Sequence, residues 1–199
     1  SQPNGVTHNL TGPGFIFDMT PPAVQTSFGT TTQNDIENLA EYANGVSLGG
    51  TGEVSADIKV VINGHTQTTT VGQNGQWSVT FAKTQIAAGQ HYELPAVITA
   101  TDALGNSTWY IYDDAGRLTD TIDALGAVTR SVYDANGRIT KTTRYATALP
   151  AGTLTTLANT DAPVSVSPTA NATKDQVTTY AYDDLGRLIS TIDALGFSE

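Results

Sequence analysis

Tyr112-Asp113-Asp114-Ala115-Gly116-Arg117-Leu118 returns as Tyr133-Asp134-Ala135-Asn136-Gly137-Arg138-Ile139, and again as Tyr182-Asp183-Asp184-Leu185-Gly186-Arg187-Leu188. A second element, Asp-Ala-Leu-Gly, stands at Asp102–Gly105, Asp123–Gly126 and Asp193–Gly196. Both reduce to Asp-x-x-Gly. An aspartate opening a turn accepts a hydrogen bond from its own backbone two residues on, and a closing glycine takes the positive φ that other residues resist. Each element therefore reads as a hairpin turn. Turns opening at Asp102, Asp113, Asp123 and Asp134 leave strands of about six residues between them, the ordinary strand length. The pattern is a β-meander, with Gly116, Gly137 and Gly186 at equivalent positive-φ positions. Stretches such as Arg117 to Ile122 and Arg138 to Thr143 mix Thr, Ile and Arg, which suits a sheet with one wetted face.

This motif resembles the tyrosine-aspartate (YD) repeat of the RHS family, Tyr-Asp-x-x-Gly-Arg-Leu followed about ten residues later by Asp-x-x-Gly. Between 113–126 and 183–196, eleven of fourteen positions are identical. The resemblance covers roughly residue 102 onward. It implies an antiparallel β-sheet structure that in toxins forms a shell around a cargo domain and in other members forms surface or adhesive structures. The second copy departs from the others, with Ser131 where they have Tyr110 and Tyr180, and a long insert precedes the third. Three motifs are too few to close a shell.

Residues before the repeats read as a second unit. From Val46 to Asn106, short alternating strands are punctuated by Asn63-Gly64 and Asn74-Gly75, dipeptides that favour tight hairpins because both central positions accept positive φ. Ile58, Val60 and Ile62 share one strand face; Trp77, Val79 and Phe81 share another; Leu94, Ala96 and Ile98 repeat the alternation. These are the expected core of a β-sandwich. Asp18-Met19-Thr20-Pro21-Pro22, Gly50-Thr51-Gly52-Glu53, Ile62-Asn63-Gly64, Asn74-Gly75-Gln76-Trp77-Ser78-Val79 and Thr99–Asn106 together resemble the bacterial Ig-like modules of large surface adhesins. That resemblance implies a seven-stranded sandwich used as a spacer or stalk unit and stiffened in many members by calcium at module junctions. Asp102-Ala103-Leu104-Gly105 ends one pattern and begins the other, so the two units are expected to abut with almost no linker.

The expected fold is thus all-β: an Ig-like β-sandwich followed by an RHS/YD-repeat antiparallel β-meander. The expected divisions are an extended arm over 1–20, the sandwich over 21–108 and the meander over 109–199, with an irregular insert at 146–173. The insert is rich in Ala, Thr, Pro and Ser; Leu149, Leu154 and Leu157 hint at a short helix after Pro150. Pro163 and Pro168 lack the donor a central strand needs, so the insert reads as a surface excursion. The arm carries Phe15-Ile16-Phe17, an apolar triplet that a free segment would not keep exposed.

The chain has 199 residues, nine basic against nineteen acidic side chains and no cysteine. A net negative charge disfavours nucleic acid and anionic membrane, and without cysteine neither a disulfide nor a thiolate metal site forms. No apolar run approaches the roughly 18 residues of a membrane span. The absence of an initiator Met and the stop at Glu199 read as a processed or excised chain. Low charge density with abundant Thr, Gly and Ala points to an extracellular or bacterial cell-surface setting.

No catalytic signature is legible, so the chain is read as non-enzymatic. His8, His65 and His91 lie in separate segments without metal or triad spacing. The pairs Asp113-Asp114 and Asp183-Asp184 sit at a repeated turn position, where a structural role outweighs acid–base chemistry. Calcium needs six to eight oxygens, and Asp18, Asp35, Glu37 and Asp102 fall in loops that a sandwich brings toward its ends. No Asp-x-Asp-x-Asp loop accompanies them, and solvated turn carboxylates are the blander reading. The repeat arginines Arg117, Arg138 and Arg187 can pair with turn aspartates or stack on Tyr112, Tyr133 and Tyr182, each stack being worth about 0.5 to 2 kcal/mol. The expected function is a structural or adhesive surface component, a stalk or filament former that pairs strands with copies of itself or with the rest of a larger parent chain. The alternatives are a shell fragment of a secreted RHS-type polymorphic toxin and a carbohydrate-binding module presenting Tyr and Arg to surface glycans.

Overall fold

A computed structural model describes residues 24–29, 45–85, 96–113, 115–161 and 165–198. Seven strands build a sandwich: β1 (Val24–Gly29), β2 (Val46–Gly52), β3 (Asp57–Ile62), β4 (His65–Thr70), β5 (Gln76–Phe81), β6 (Ala96–Thr101) and β7 (Ser107–Tyr112). Five more follow: β8 (Leu118–Ile122), β9 (Val128–Tyr133), β10 (Ile139–Arg144), β11 (Gln176–Tyr182) and β12 (Leu188–Ile192). Helix α1 (Ala151–Asn159) lies between β10 and β11. Among the described residues the fold is all-β apart from α1, and every pairing is antiparallel.

Strands β1-β2-β5 form one sheet, and the other runs β12-β11-β10-β9-β8-β7-β6-β3-β4 without a break. The sandwich face of this second sheet is β4, β3, β6 and β7; the same ladder simply continues into the repeats. The junction expected near residue 108 falls inside β7. That strand pairs with β6 through Thr101↔Ser107 to Ala96↔Tyr112, and with β8 through Trp109↔Ile122 to Tyr112↔Leu118.

Alternation explains how two cores form on one sheet. Ile58, Val60 and Ile62 of β3, Ala96, Ile98 and Ala100 of β6, and Tyr110 of β7 face inward against Leu48, Trp77, Val79 and Phe81 of the facing sheet. The expected core residues lie there together, except Leu94, which is outside the described residues. Trp77 places its indole N–H on the Thr51 carbonyl at 3.2 Å. The buried Tyr110 hydroxyl accepts the Val24 amide at 3.0 Å, tying the two sheets, and burial pushes its pKa up.

The intervening residues, Val61, Val97, Trp109 and Ile111, face the other way and meet Ile122, Val128, Leu149, Leu157 and Val166 in a second core. The insert is therefore not a mere surface excursion: Leu149, Leu157 and Val166 roof the outer face of the sheet. Pro150 begins the helix with its fixed φ of −60°, and the helix spends its few leucines downward on the sheet. Lys59 Nζ donates to the Ala158 and Thr160 carbonyls at 3.3 and 3.2 Å and pairs with Asp161 at 3.2 Å, a cation at the helix C-terminus, where the dipole favours it.

The two Asn-Gly signals behave differently. Asn63 and Gly64 both take positive φ, 50° and 74°, and close the two-residue β3–β4 hairpin. Asn74-Gly75 closes no hairpin of that kind. Only Gly75 has positive φ, and the segment carries the chain from β4 in one sheet to β5 in the other. Asn74 Oδ1 instead accepts the Gln76 amide at 3.0 Å, a side-chain turn that eases the crossing.

Candidate functional site

The three Tyr-Asp hairpins form a column at one end of the repeat strands, closing β7–β8, β9–β10 and β11–β12. In each, the aspartate carboxylate organises its own loop. Asp113 Oδ1 accepts the amides of Ala115 and Arg117 at 3.0 and 2.9 Å, while Oδ2 accepts Arg117 Nε at 2.8 Å. Asp134 does the same with Asn136 and Arg138, and Asp183 with Leu185 and Arg187, at distances between 2.7 and 3.0 Å. The glycine amide returns to the aspartate carbonyl at 2.9 to 3.0 Å, and Gly116, Gly137 and Gly186 take φ of 67°, 77° and 80°. A type I turn followed by a left-handed glycine is the three-residue hairpin loop that Gly alone closes without strain.

Two residues beyond each arginine the strand bulges. Tyr112 pairs with Leu118 and Ile111 with Asp120, leaving Thr119 extra; Tyr133–Ile139 and Tyr182–Leu188 are followed by the same one-residue shift. Thr119 and Thr140 turn their hydroxyls back onto the Ile111 and Val132 carbonyls at 3.1 and 3.2 Å. The Asp-Ala-Leu-Gly hairpin between β8 and β9 has no such shift. The two turn elements thus differ in what they do to the sheet, a distinction their shared Asp-x-x-Gly pattern conceals.

The motifs also bind one another. Arg117 lies over the Tyr133 ring with its guanidinium carbon 5.0 Å from the centroid, and Arg138 lies over Tyr182 at 4.7 Å. The tyrosine hydroxyls return the contact: Tyr133 donates to the Leu118 carbonyl at 2.7 Å and Tyr182 to the Ile139 carbonyl at 2.9 Å. Arg117 also reaches the Asp134 carbonyl at 3.2 Å. Arg117 and Arg138 therefore each hold their own aspartate and the next motif's tyrosine at once. Tyr112 begins the column against the sandwich core. Arg187 ends it, with its side chain 73% exposed against 27% and 29% for Arg117 and Arg138.

Protonation follows the same contacts. At Asp113, burial would raise the carboxyl pKa, but the hydrogen bonds and charge of Arg117 outweigh it and hold the group below its usual value. The Arg138 amide and guanidinium lower Asp134, and those of Arg187 lower Asp183. Burial, with the neighbouring Asp113 charge, pushes the Tyr133 hydroxyl up. The three carboxylates therefore stay ionised as hydrogen-bond acceptors, and the Tyr133 hydroxyl stays protonated as a donor.

Asp18, Asp35 and Glu37, the other calcium candidates, lie outside the described residues, as do Phe15, Ile16 and Phe17. Asp102 is described. Its Oδ1 accepts the Leu104 and Asn106 amides, each at 2.8 Å, and its Oδ2 accepts Asn106 Nδ2 at 2.7 Å, with that side-chain bond the chief cause of a lowered pKa. Asp102 is thus held in its own turn, and among the described residues no three acidic or histidine side chains converge. No helix among the described residues is long and apolar enough to cross a membrane.

The sequence carried no sign of which tyrosine each arginine would meet. Nor did it reveal the roof supplied by the insert, because the partners of Leu149, Leu157 and Val166 are distant in the chain and set only by the sheet's outer face.

Comparison with known proteins gives two families. Residues 34–109 match the bacterial Ig domain, and residues 96–127, 112–154 and 170–198 match the RHS repeat. The Ig domain precedes the repeats, and both matches include β6 and much of β7. Neither family is an enzymatic one. No curated protein matches the chain. Among solved structures, a Ca2+-stabilized adhesin that helps an Antarctic bacterium reach out and bind ice is 23% identical, with a TM-score of 0.35; the alignment covers 86% of this chain and 48% of that one. The chain thus spans about half the length of that adhesin, and at this TM-score the likeness carries no structural argument.

Proposed function

We propose that this chain, a bacterial Ig domain joined to three RHS repeats, is a non-enzymatic structural and adhesive component of an extracellular, bacterial cell-surface assembly. The observation that carries this reading is the unbroken nine-stranded sheet. A spacer transmits position best when its modules share a sheet instead of a hinge, and here one strand, β7, serves both. Assembly proceeds by strand pairing, with copies of this chain or with the rest of a larger parent chain, since exposed sheet edges accept added strands.

The ladder supports a structural role over a sugar-binding one. Tyr133 and Tyr182 each have a guanidinium over one ring face and a carbonyl on the hydroxyl, so that face and that hydroxyl are already engaged. In this reading Phe15-Ile16-Phe17 forms a docking arm, and Asp18, Asp35, Glu37 and Asp102 are the calcium candidates. Electron microscopy and sedimentation of the intact chain and of a chain lacking residues 1–17 test it together. Filaments or oligomers from the intact chain, lost on deletion with both matched regions still folded, are expected. A protein that stays monomeric at high concentration overturns assembly of this chain with itself, and unchanged polymers after deletion overturn the arm.

A further inference from the structure

The tripeptide Asn-x-Ser/Thr, with x other than proline, occurs at Asn9-Leu10-Thr11, Asn106-Ser107-Thr108 and Asn171-Ala172-Thr173. It is the acceptor pattern for asparagine-linked sugars, and it serves only where the asparagine reaches solvent. The first copy lies outside the described residues. The other two have opposite surroundings. Asn106 is engaged inside the fold, where its Nδ2 donates to Asp102 Oδ2 at 2.7 Å and its backbone amide to Asp102 Oδ1 at 2.8 Å. Thr108 is 4% exposed within β7, so neither half of that tripeptide is open to another molecule.

Asn171 stands at the neck of the insert. There Asp175 closes the loop, its Oδ1 accepting the Ala146 amide at 2.8 Å and its Oδ2 the Asn171 amide at 2.7 Å. The Asn171 carbonyl accepts the amides of Lys174 and Asp175 at 3.1 and 2.8 Å, so residues 171–175 are folded before β11 begins. On the side chain, Oδ1 accepts the Thr173 amide at 3.2 Å and the Thr173 hydroxyl at 2.9 Å. A backbone amide can only donate, so the atom facing it is the oxygen and the NH2 points elsewhere. No described residue accepts from that Nδ2, and Ala172, Thr173 and Lys174 beside it are exposed.

We propose that Asn171 is an acceptor site for an asparagine-linked sugar, the donor being a sugar activated as its diphosphate ester. A carboxamide nitrogen is a poor nucleophile because its lone pair is delocalised into the carbonyl. Two donors on Oδ1 stabilise the charge that collects there as Nδ2 gives up a proton to a base of the transferring enzyme. The bond from Nδ2 to the sugar C1 forms as the C1–O bond to phosphate breaks, and that electron pair leaves with the diphosphate. Attachment displaces no contact of the fold among the described residues, since Nδ2 makes none there. Strand pairing is neither needed for this attachment nor touched by it.

Glycopeptide mapping of the chain purified from the cells that make it is the direct test. A sugar mass on the peptide carrying Asn171, with Asn106 bare, is expected. The same mass separates the two sources of donor: a nucleotide-linked sugar adds a single residue, and a lipid-linked one transfers an assembled oligosaccharide. Thr173→Val keeps the branched shape without the hydroxyl and should lower occupancy about tenfold, the effect of one hydrogen bond on a rate. Thr173→Ser should restore it. The denaturation midpoint and the Ala146 amide exchange should be the same in all three proteins, which separates loss of the sugar from loss of the loop. An unmodified Asn171, a sugar on Asn9 or Asn106 in its place, or equal occupancy in Thr173→Val would overturn the site.

Discussion

At one side of the long sheet Ile58, Val60, Ile62 and Ile98 are almost wholly enclosed, while at the other Leu188, Ile189 and Ile192 stand in solvent. The backbone ladder between them is continuous and antiparallel throughout. Hydrogen-bonded pairing is therefore common to both ends, and what differs is what covers the faces. The sandwich strands gain stability chiefly by burying apolar side chains, which is worth roughly 25 cal/mol per Å². The repeat strands draw more on a polar column in which aspartates, arginines and tyrosines share partners. Such a column specifies spacing and register more than it stabilises, because exposed ion pairs are individually weak.

From this contrast the largest loss is expected for Trp77→Ala. Loss of burial and an unfilled cavity should cost about 3 to 5 kcal/mol, read as a fall in denaturation midpoint. An unchanged midpoint would dissolve the distinction between the two ends. Next come two glycines that share a positive φ and differ in surroundings. A Cβ on Gly126 would lie 2.8 Å from the Leu149 carbonyl oxygen, whereas one on Gly137 meets nothing within 4 Å. Gly126→Ala should cost about 1 to 3 kcal/mol and loosen the insert, and Gly137→Ala only about 1 to 2 kcal/mol from the left-handed backbone. Equal losses in the two proteins would mean that the insert does not press on the sheet.

A smaller effect, about 0.5 to 1.5 kcal/mol, is expected for Tyr182→Phe, which removes one hydrogen bond and keeps the ring. Amide exchange should quicken in β11 and stay unchanged in β3. Acid sharpens the same contrast. Asp113, Asp134 and Asp183 have lowered native pKa values, so their contribution is complete above the ordinary carboxylate pKa near 4 and is lost as pH falls through the depressed values. Amide exchange across the repeats should therefore rise before that of the sandwich; simultaneous loss would argue against the column. The smallest expected shift is from calcium, which raises the melting temperature by mass action if Asp18, Asp35, Glu37 and Asp102 bind it. No change between chelated and millimolar-calcium samples removes that proposal.

Much of the fold was legible because its signals are local. Period-two alternation placed Ile58, Val60, Ile62, Trp77, Val79 and Phe81 in one core, and Asp-x-x-Gly marked every repeat turn. What escaped was non-local. Val61, Val97, Trp109 and Ile111 could be assigned to the other face by alternation, yet nothing nearby says that Leu149, Leu157 and Val166 return to cover them. Asn74-Gly75 misled because a dipeptide fixes local φ preferences and not which sheet the next strand joins. In the candidate site, each aspartate's pairing with the arginine four residues on is a short-range matter. The tyrosine that the arginine covers is set by strand order, and for Arg138 and Tyr182 it lies 44 residues away by their numbers.

Strand β7 has a consequence for how such chains diversify. Its hairpin with β6, closed at Asp102–Gly105, completes the sandwich and equally starts the repeats, so the joint is a piece of both. A recombination that cut there would strip one product of its last strand and the other of its first. Exchange of Ig and repeat modules by breakage elsewhere should preserve the whole β6–β7 hairpin, turn included, as the unit of inheritance. In this chain the Asp-Ala-Leu-Gly turn is thus a shared seam, the last hairpin of one module and the first of the next, with no linker between them.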